Sequence, residues 1–249
     1  VKSIEYVGHK DMIRSITTDK LGQYLASGSD DGTVKVWEIN TGRCLKTFAI
    51  GAVVKCVKWC PNQALSLLLI AVDKKVVLLN PWVGDTVVST KTDKLLTDQP
   101  SEEVILSERV RSTVSWQHLT EDDEDYRLNG FRIVLNHFKE VSSVTWHAKG
   151  DYFASVMADG QNRSVLISQL SKRRSQLPFN KSKGLVQSVL FHPIRPLLFV
   201  ATQRHVRIYD LIKQELMKKL MTNSKWISSM DIHPLGDNLL VGTYDRKML

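Results

Sequence analysis

The chain has 249 residues, 43% hydrophobic and 24% charged, a balance that excludes a disordered polypeptide. Lys and Arg outnumber Asp and Glu by 34 to 26, and the net charge of +8 favours an anionic partner wherever the cations cluster. No run approaches the ~20 consecutive apolar residues of a membrane span. From the N-terminus, Val1-Lys2-Ser3-Ile4-Glu5 lacks both the layout of a signal peptide and an initiator Met. The chain is therefore expected to be a piece of a longer protein. Its three cysteines, Cys44, Cys56 and Cys60, include no CxxC pair, which fits reduced thiols in the cytosol or nucleus.

An internal repeat runs through the chain: apolar, any residue, Ser or Cys, apolar, any residue, then an aromatic or apolar residue. It reads Ile13-Arg14-Ser15-Ile16, Val54-Lys55-Cys56-Val57-Lys58-Trp59 and Val141-Ser142-Ser143-Val144-Thr145-Trp146. It returns as Val186-Gln187-Ser188-Val189-Leu190-Phe191 and Ile227-Ser228-Ser229-Met230-Asp231-Ile232. The starts at 13, 54, 141, 186 and 227 are spaced by 41, 87, 45 and 41 residues. Three of these intervals match the ~40–45-residue period of four-stranded propeller blades. Turn signals follow each copy, as in His147-Ala148, His192-Pro193 and His233-Pro234, or Leu21-Gly22 and Leu235-Gly236. Short β-rich runs punctuated by Gly and Pro predict an all-β chain.

The first unit is the sharpest. Gly8-His9 opens it, Ser29-Asp30-Asp31-Gly32-Thr33-Val34-Lys35-Val36-Trp37 carries its third strand, and Thr41-Gly42-Arg43-Cys44 leads into an outer strand. This pattern resembles the WD-repeat family, with Glu38 in place of the final Asp. The resemblance implies a hydrogen-bonded network of His9, a strand serine (Ser27 or Ser29), Asp31 and Trp37. A buried imidazole and indole N–H each need such a partner. The other units are degenerate: Asp245 matches Asp31, and Tyr209-Asp210 stands where Trp37-Glu38 does.

The organisation expected is a single WD-repeat β-propeller fragment over 1–249, with about four and a half blades of seven. Ile4 to Val7 resembles the outer strand of an absent last blade. Residues 81–139, with the acidic run Glu121-Asp122-Asp123-Glu124-Asp125, are expected to form an insertion between the second and third blades. The alternative is a diverged blade.

Further segments fall outside the general repeat. These are Val144-Thr145-Trp146-His147 through Gly150-Asp151-Tyr152, Gln169 through Phe179, Gln214 through Met221, and Lys225-Trp226-Ile227-Ser228-Ser229 with His233-Pro234. In them the chain resembles the block-of-proliferation ribosome-biogenesis proteins, less so across 81–139. That resemblance implies a nucleolar and nucleoplasmic scaffold with no enzymatic activity. It implies a pescadillo homologue and a second WD-repeat assembly factor as partners, together with the pre-60S particle and its RNA. The competing expectation is a WD-repeat adaptor of another nuclear complex, such as a ubiquitin-ligase substrate receptor.

The candidate RNA contacts are the cations. Lys172-Arg173-Arg174 with Lys181 and Lys183 are read as the connection between the third and fourth blades. Lys218 and Lys219, with Lys213 and Lys225, lie around the outer strand of the fourth. Trp226, before an inner strand, is a candidate protein contact. Trp59, Trp146, Phe191 and Ile232 share one repeat position and are expected in the core. His147, His192 and His233 recur from blade to blade, which fits turns better than a metal site. Cys56 and Cys60 are read as small buried thiols. No GxSxG or Walker-type loop is present, so neither catalysis nor a cofactor, metal, membrane or small-molecule substrate is expected.

Overall fold

A computed structural model describes residues 3–98, 106–119, 123–181 and 184–249. The chain divides into two compact units, Val1–Val144 and Thr145–Leu249. In the first unit, β1 (Ile13–Thr18), β2 (Tyr24–Ser29), β3 (Thr33–Glu38) and β4 (Cys44–Ala49) form an antiparallel meander. A second sheet holds β5 (Val54–Trp59), β6 (Leu68–Val72) and β7 (Lys75–Leu79). After it come α1 (Thr86–Thr97), α2 (Glu108–Arg111), β8 (Val114–His118), α3 (Glu124–Leu128) and β9 (Phe131–His137). The spatial order is β5-β6-β7-β9-β8.

That order corrects the expected position of the insertion. The segment does not join two blades, because β9 lies within 81–139 and supplies the fourth strand of the second sheet. The excursion leaves β7 and returns as its partner, with β8 added at the edge. Phe131, Ile133, Val134 and Leu135 are all buried, and a register shift at Arg132 brings Phe131 and Val134 into one core cluster. Gly130 makes the return possible at φ +87°, where a Cβ would lie 2.8 Å from the Asn80 carbonyl. Of the acidic run, Glu121 and Asp122 lie outside the described residues, and Glu124 and Asp125 belong to α3. Residues 4–7 form no strand. The Tyr6 hydroxyl donates to the Ile39 carbonyl at 3.0 Å, and its ring packs edge-on against Trp37.

A third sheet begins at the boundary between the units with β10 (Ser143–Trp146) and continues as β11 (Tyr152–Val156), β12 (Val165–Gln169) and β13 (Arg174–Gln176). A 3-10 segment, Ala158–Arg163, links β11 to β12. The fourth sheet is β14 (Val186–Phe191), β15 (Leu197–Thr202), β16 (His205–Asp210) and β17 (Glu215–Met221). A two-stranded sheet, β18 (Ile227–Ile232) and β19 (Leu239–Thr243), completes the second unit. Met248 bridges Gly242 in the register by which Val34 pairs with Gly28.

The sequence repeat has a backbone meaning. The register shifts between Ile13 and Ser15, Val54 and Cys56, Val186 and Ser188, and Ile227 and Ser229. Each of these four first strands thus carries a β-bulge at its second repeat residue, which bends the strand and raises its twist. Opposite the Ser or Cys stand Gly28, Ala71, Ala201 and Gly242, all small. A Cβ on Gly28 would lie 2.4 Å from Val54 Cγ1, so the first sheet meets the second too closely there for a side chain.

Burial follows the sheet interfaces inside each unit. In the first, Ala26, Val34, Val36 and Phe48 pack with Val54, Val57, Leu68, Ile70 and Phe131. In the second, Ala154, Val156, Val165 and Ile167 pack with Phe179, Val189, Phe191, Leu198 and Tyr209. Phe199, Ala201 and Val206 then pack with Ile227 and Val241. Of the four residues sharing the aromatic repeat position, Phe191 is buried and Trp59, Trp146 and Ile232 are half-buried.

The histidine repeat is a turn device. Nδ1 of His192 accepts the N–H groups of Ile194 and Arg195 at 3.1 and 3.0 Å. His147 accepts from Lys149, and His233 from Leu235, each at 3.3 Å. Asp19 does the same work in the first sheet, accepting from Leu21, Gln23 and Tyr24. A side-chain acceptor at the head of a turn satisfies N–H groups that have left the ladder.

Candidate functional site

The first sheet carries a closed polar network. His9 Nδ1–H donates to Asp31 Oδ2 at 2.9 Å, and the Ser27 hydroxyl donates to His9 Nε2 at 2.7 Å. Trp37 Nε1–H donates to Ser27 Oγ at 2.8 Å. Asp31 also accepts from the Thr33 hydroxyl at 2.6 Å and from the Lys10 and Thr33 N–H groups at 2.9 Å. Burial works against the Asp31 carboxylate, yet these donors outweigh it and hold its pKa far below the ordinary value. The strand serine in the network is Ser27; Ser29 instead accepts the Asp31 N–H in the following turn.

The Ser27–His9–Asp31 order is that of a nucleophilic triad, but the surroundings oppose such chemistry. Ser27 is 2% exposed, and its oxygen already accepts from an indole. A hydroxyl enclosed in this way has no space for an acyl carbon. The network braces the sheet.

The basic run in the third sheet does not sit where it was expected. Lys172, Arg173 and Arg174 belong to the β12–β13 turn inside that sheet, because β13 pairs straight back onto β12. Lys172 is exposed. Arg173, at φ +48°, donates from Nη1 to the Leu170 carbonyl, and burial lowers its pKa. Arg174 Nε donates to Gln169 Oε1 at 3.1 Å. Two of the three cations therefore serve their own turn. Lys181 is exposed beyond β13, and Lys183 lies outside the described residues.

The fourth sheet joins Arg204 and Arg207, which sequence reading missed, to the expected Lys218 and Lys219. Lys218 and Lys219 are exposed on β17, and Lys219 stands directly across from Arg207 on β16. Arg204 occupies the turn before β16. Among the described residues, no carboxylate lies within 4 Å of Arg204, Arg207, Lys218 or Lys219. Burial first, then Lys219, Arg207 and Arg204, lower the pKa of His205. Like charges paired across a ladder are unfavourable, and an anion would relieve them. No local pattern in the sequence signals this cluster; the pairing of β16 with β17 sets Arg207 beside Lys219.

Trp226 precedes β18, and its carbonyl accepts the Tyr244 N–H at 2.9 Å. With Lys225, Tyr244 and Asp245 it lines a cavity of about 440 Å³. Trp116 lies half-buried on β8. Cys56 and Cys60 are buried, with Cys56 Sγ 3.7 Å from the Val144 carbonyl, and Cys44 is exposed. Among the described residues, no group of three His, Cys, Asp or Glu side chains could hold a metal ion. No helix among them is long and apolar enough to cross a membrane.

Bulged four-stranded meanders, a small residue opposite each bulge, and the His9–Ser27–Trp37–Asp31 brace define a segment of a WD-repeat β-propeller. The family model described as WD domain, G-beta repeat matches residues 2–38. Over all 249 residues the chain is 58% identical to proteins named ribosome biogenesis protein BOP1 homolog in Drosophila melanogaster, Drosophila erecta and Aedes aegypti. It spans 31% of the length of the two Drosophila relatives and 28% of the mosquito one. The matched region covers the whole chain, 81–139 included.

Proposed function

We propose that this chain is the WD-repeat part of a non-enzymatic scaffold in ribosome biogenesis. The scaffold works in the nucleolus and nucleoplasm beside a pescadillo homologue and a second WD-repeat assembly factor. Their complex supports large-subunit ribosomal RNA maturation on the pre-60S particle. The observation that carries this reading is 58% identity, along all 249 residues, to relatives named for ribosome biogenesis.

Contact with ribosomal RNA falls to the cations that the fold leaves available. Lys218 and Lys219, joined by Arg204 and Arg207, supply a cluster without carboxylate neighbours among the described residues. Lys172 and Lys181 add exposed charge. Each phosphate neutralised releases counterions, so binding weakens as salt rises. Arg173 and Arg174 contribute by holding the turn that presents Lys172.

The test is recovery of the full-length parent from nuclear extract, with and without RNase, read by mass spectrometry. Pescadillo, a second WD-repeat subunit and large-subunit precursors are expected. Ubiquitin-ligase subunits in their place would overturn the reading and leave the fold intact.

A further inference from the structure

The Lys225–Trp226–Tyr244–Asp245 cavity serves neither the core nor the polar brace. Trp226 is 42% exposed and Tyr244 70% exposed, so two large ring systems face solvent in one small region. We propose that this cavity takes one unpaired guanine of a single-stranded RNA, with the neighbouring phosphates on Arg204, Arg207 and Lys219. The inference rests on the RNA contact proposed above and names where, and through which base, it is made.

Three observations carry it. First, the aromatic residues and the cations belong to one hydrogen-bonded end of the second unit. The Ile227 N–H donates to the Gln203 carbonyl at 2.9 Å, and the Thr222 hydroxyl donates to the Arg204 carbonyl at 3.0 Å. The turn bearing Arg204 is thus tied to the segment that leads into Trp226. Trp226 is tied in turn to Tyr244 through their backbones.

Second, the volume and lining suit a nucleotide. About 440 Å³ lies within the range of small-molecule sites and accommodates a purine with part of its ribose. Exposed aromatic faces beside a cationic track are how unpaired bases are held, each base stacking while the backbone follows the charge.

Third, the charge selects the partner. Lys225 lies in the cavity, Arg246 and Lys247 flank Asp245, and a basic peptide would be repelled. Asp245, with Lys247 at 3.3 Å, is the only acid of the lining among the described residues. A carboxylate accepts and cannot donate. Guanine alone among the RNA bases offers it two adjacent donors, N1–H and N2–H.

The experiment measures fluorescence anisotropy of the full-length parent with a labelled ten-nucleotide uridine RNA carrying one central guanine or one central adenine. Binding is followed over a salt series. Trp226→Leu and Tyr244→Leu, at exposed positions, are expected to weaken guanine-RNA binding about tenfold or more with the salt slope unchanged. Asp245→Asn is expected to remove the preference for guanine over adenine while retaining binding. Arg207→Glu with Lys219→Glu is expected to weaken both RNAs and flatten the slope. Circular dichroism melting of each variant checks that it is folded.

If charge reversal weakens binding and the ring variants bind like the parent protein, the cavity assignment falls and the RNA reading stands. If charge reversal also changes nothing, or the parent binds neither RNA, both fall. If the ring variants keep RNA but lose a protein from the nuclear pull-down, the cavity is a protein contact and the proposal is overturned.

Discussion

The Ser15 hydroxyl holds both polar groups of one residue in the neighbouring sheet: it accepts the Val57 N–H at 3.0 Å and donates to the Val57 carbonyl at 3.2 Å. Cys56, at the same repeat position, donates Sγ–H to the Val144 carbonyl at 3.7 Å. In both cases the third repeat residue reaches the fourth repeat residue of the next first strand. This explains why the position is Ser or Cys: a short donor fits the seam opposite a Gly or Ala, and a longer side chain would not.

Ser15→Ala strands the Val57 N–H and carbonyl in that seam. A loss of about 1–3 kcal/mol is expected, read by urea unfolding. Ser15→Cys is expected to lose less, because Cys56 shows that a thiol fits the same geometry.

Gly28→Val would place new carbons on Val54, where even a Cβ comes within 2.4 Å of Cγ1. Overpacking there is expected to cost about 1–3 kcal/mol. The double variant Gly28→Val with Val54→Ala is expected to recover part of the loss. Equal melting temperatures for the single variant and the natural sequence would refute the close approach.

Asp93 anchors the excursion of the second sheet. It accepts Arg132 Nε at 2.7 Å, Asn80 Nδ2 at 2.8 Å and Trp82 Nε1 at 3.0 Å. Burial opposes its ionisation, but Arg132 foremost, then Asn80 and Trp82, keep its pKa below the usual carboxylate range. Asp93→Ala is expected to cost about 2 kcal/mol by leaving Arg132 without its carboxylate. Limited proteolysis is expected to shift to α1 and α3, with β5–β7 still protected.

His137, buried on β9, is held neutral, its pKa pushed down to about 4 from 6.5 by burial and only partly restored by the Leu135 carbonyl. Between pH 6.5 and about 4 the unfolded chain binds a proton that the folded chain refuses. Stability from this residue is complete above pH 6.5 and is lost as pH falls toward 4, by roughly 3 kcal/mol. His137→Gln is expected to flatten that part of a stability-against-pH curve.

Lys172 and Arg173 separate charge from architecture within one turn. Lys172→Glu is expected to weaken RNA binding and lower its salt slope while leaving the melting temperature nearly unchanged. Arg173→Ala is expected to lower the melting temperature, because its guanidinium bonds the Leu170 carbonyl of its own turn, and to weaken RNA binding less than Lys172→Glu does.

What the sequence disclosed were features local to one repeat. The strands of the first, fourth and fifth sheets follow from the six-residue pattern and its turns, and the His9–Ser27–Trp37–Asp31 brace from one unit alone. What it concealed depends on pairing at a distance. Phe131-Arg132-Ile133-Val134-Leu135 is apolar apart from Arg132 and carries β-branched residues as a buried strand should, but nothing local says that its partner is Val76-Val77-Leu78 more than fifty residues earlier. Asp93 is one polar residue of an ordinary helix until Arg132 arrives beside it. Charge behaves likewise: three consecutive cations at 172–174 disperse into a turn, whereas Arg207 and Lys219, twelve apart, become neighbours through the ladder.

The 87 residues between the second and third repeat starts build a single sheet. Because the excursion leaves β7 and returns to it as β9, its length is decoupled from the spacing of the first strands. Doubling such a loop costs only about 0.6 kcal/mol of closure entropy. The excursion is therefore free to change in length without shifting the register of β5, β6 and β7, so what it carries is separable from the sheet that holds it.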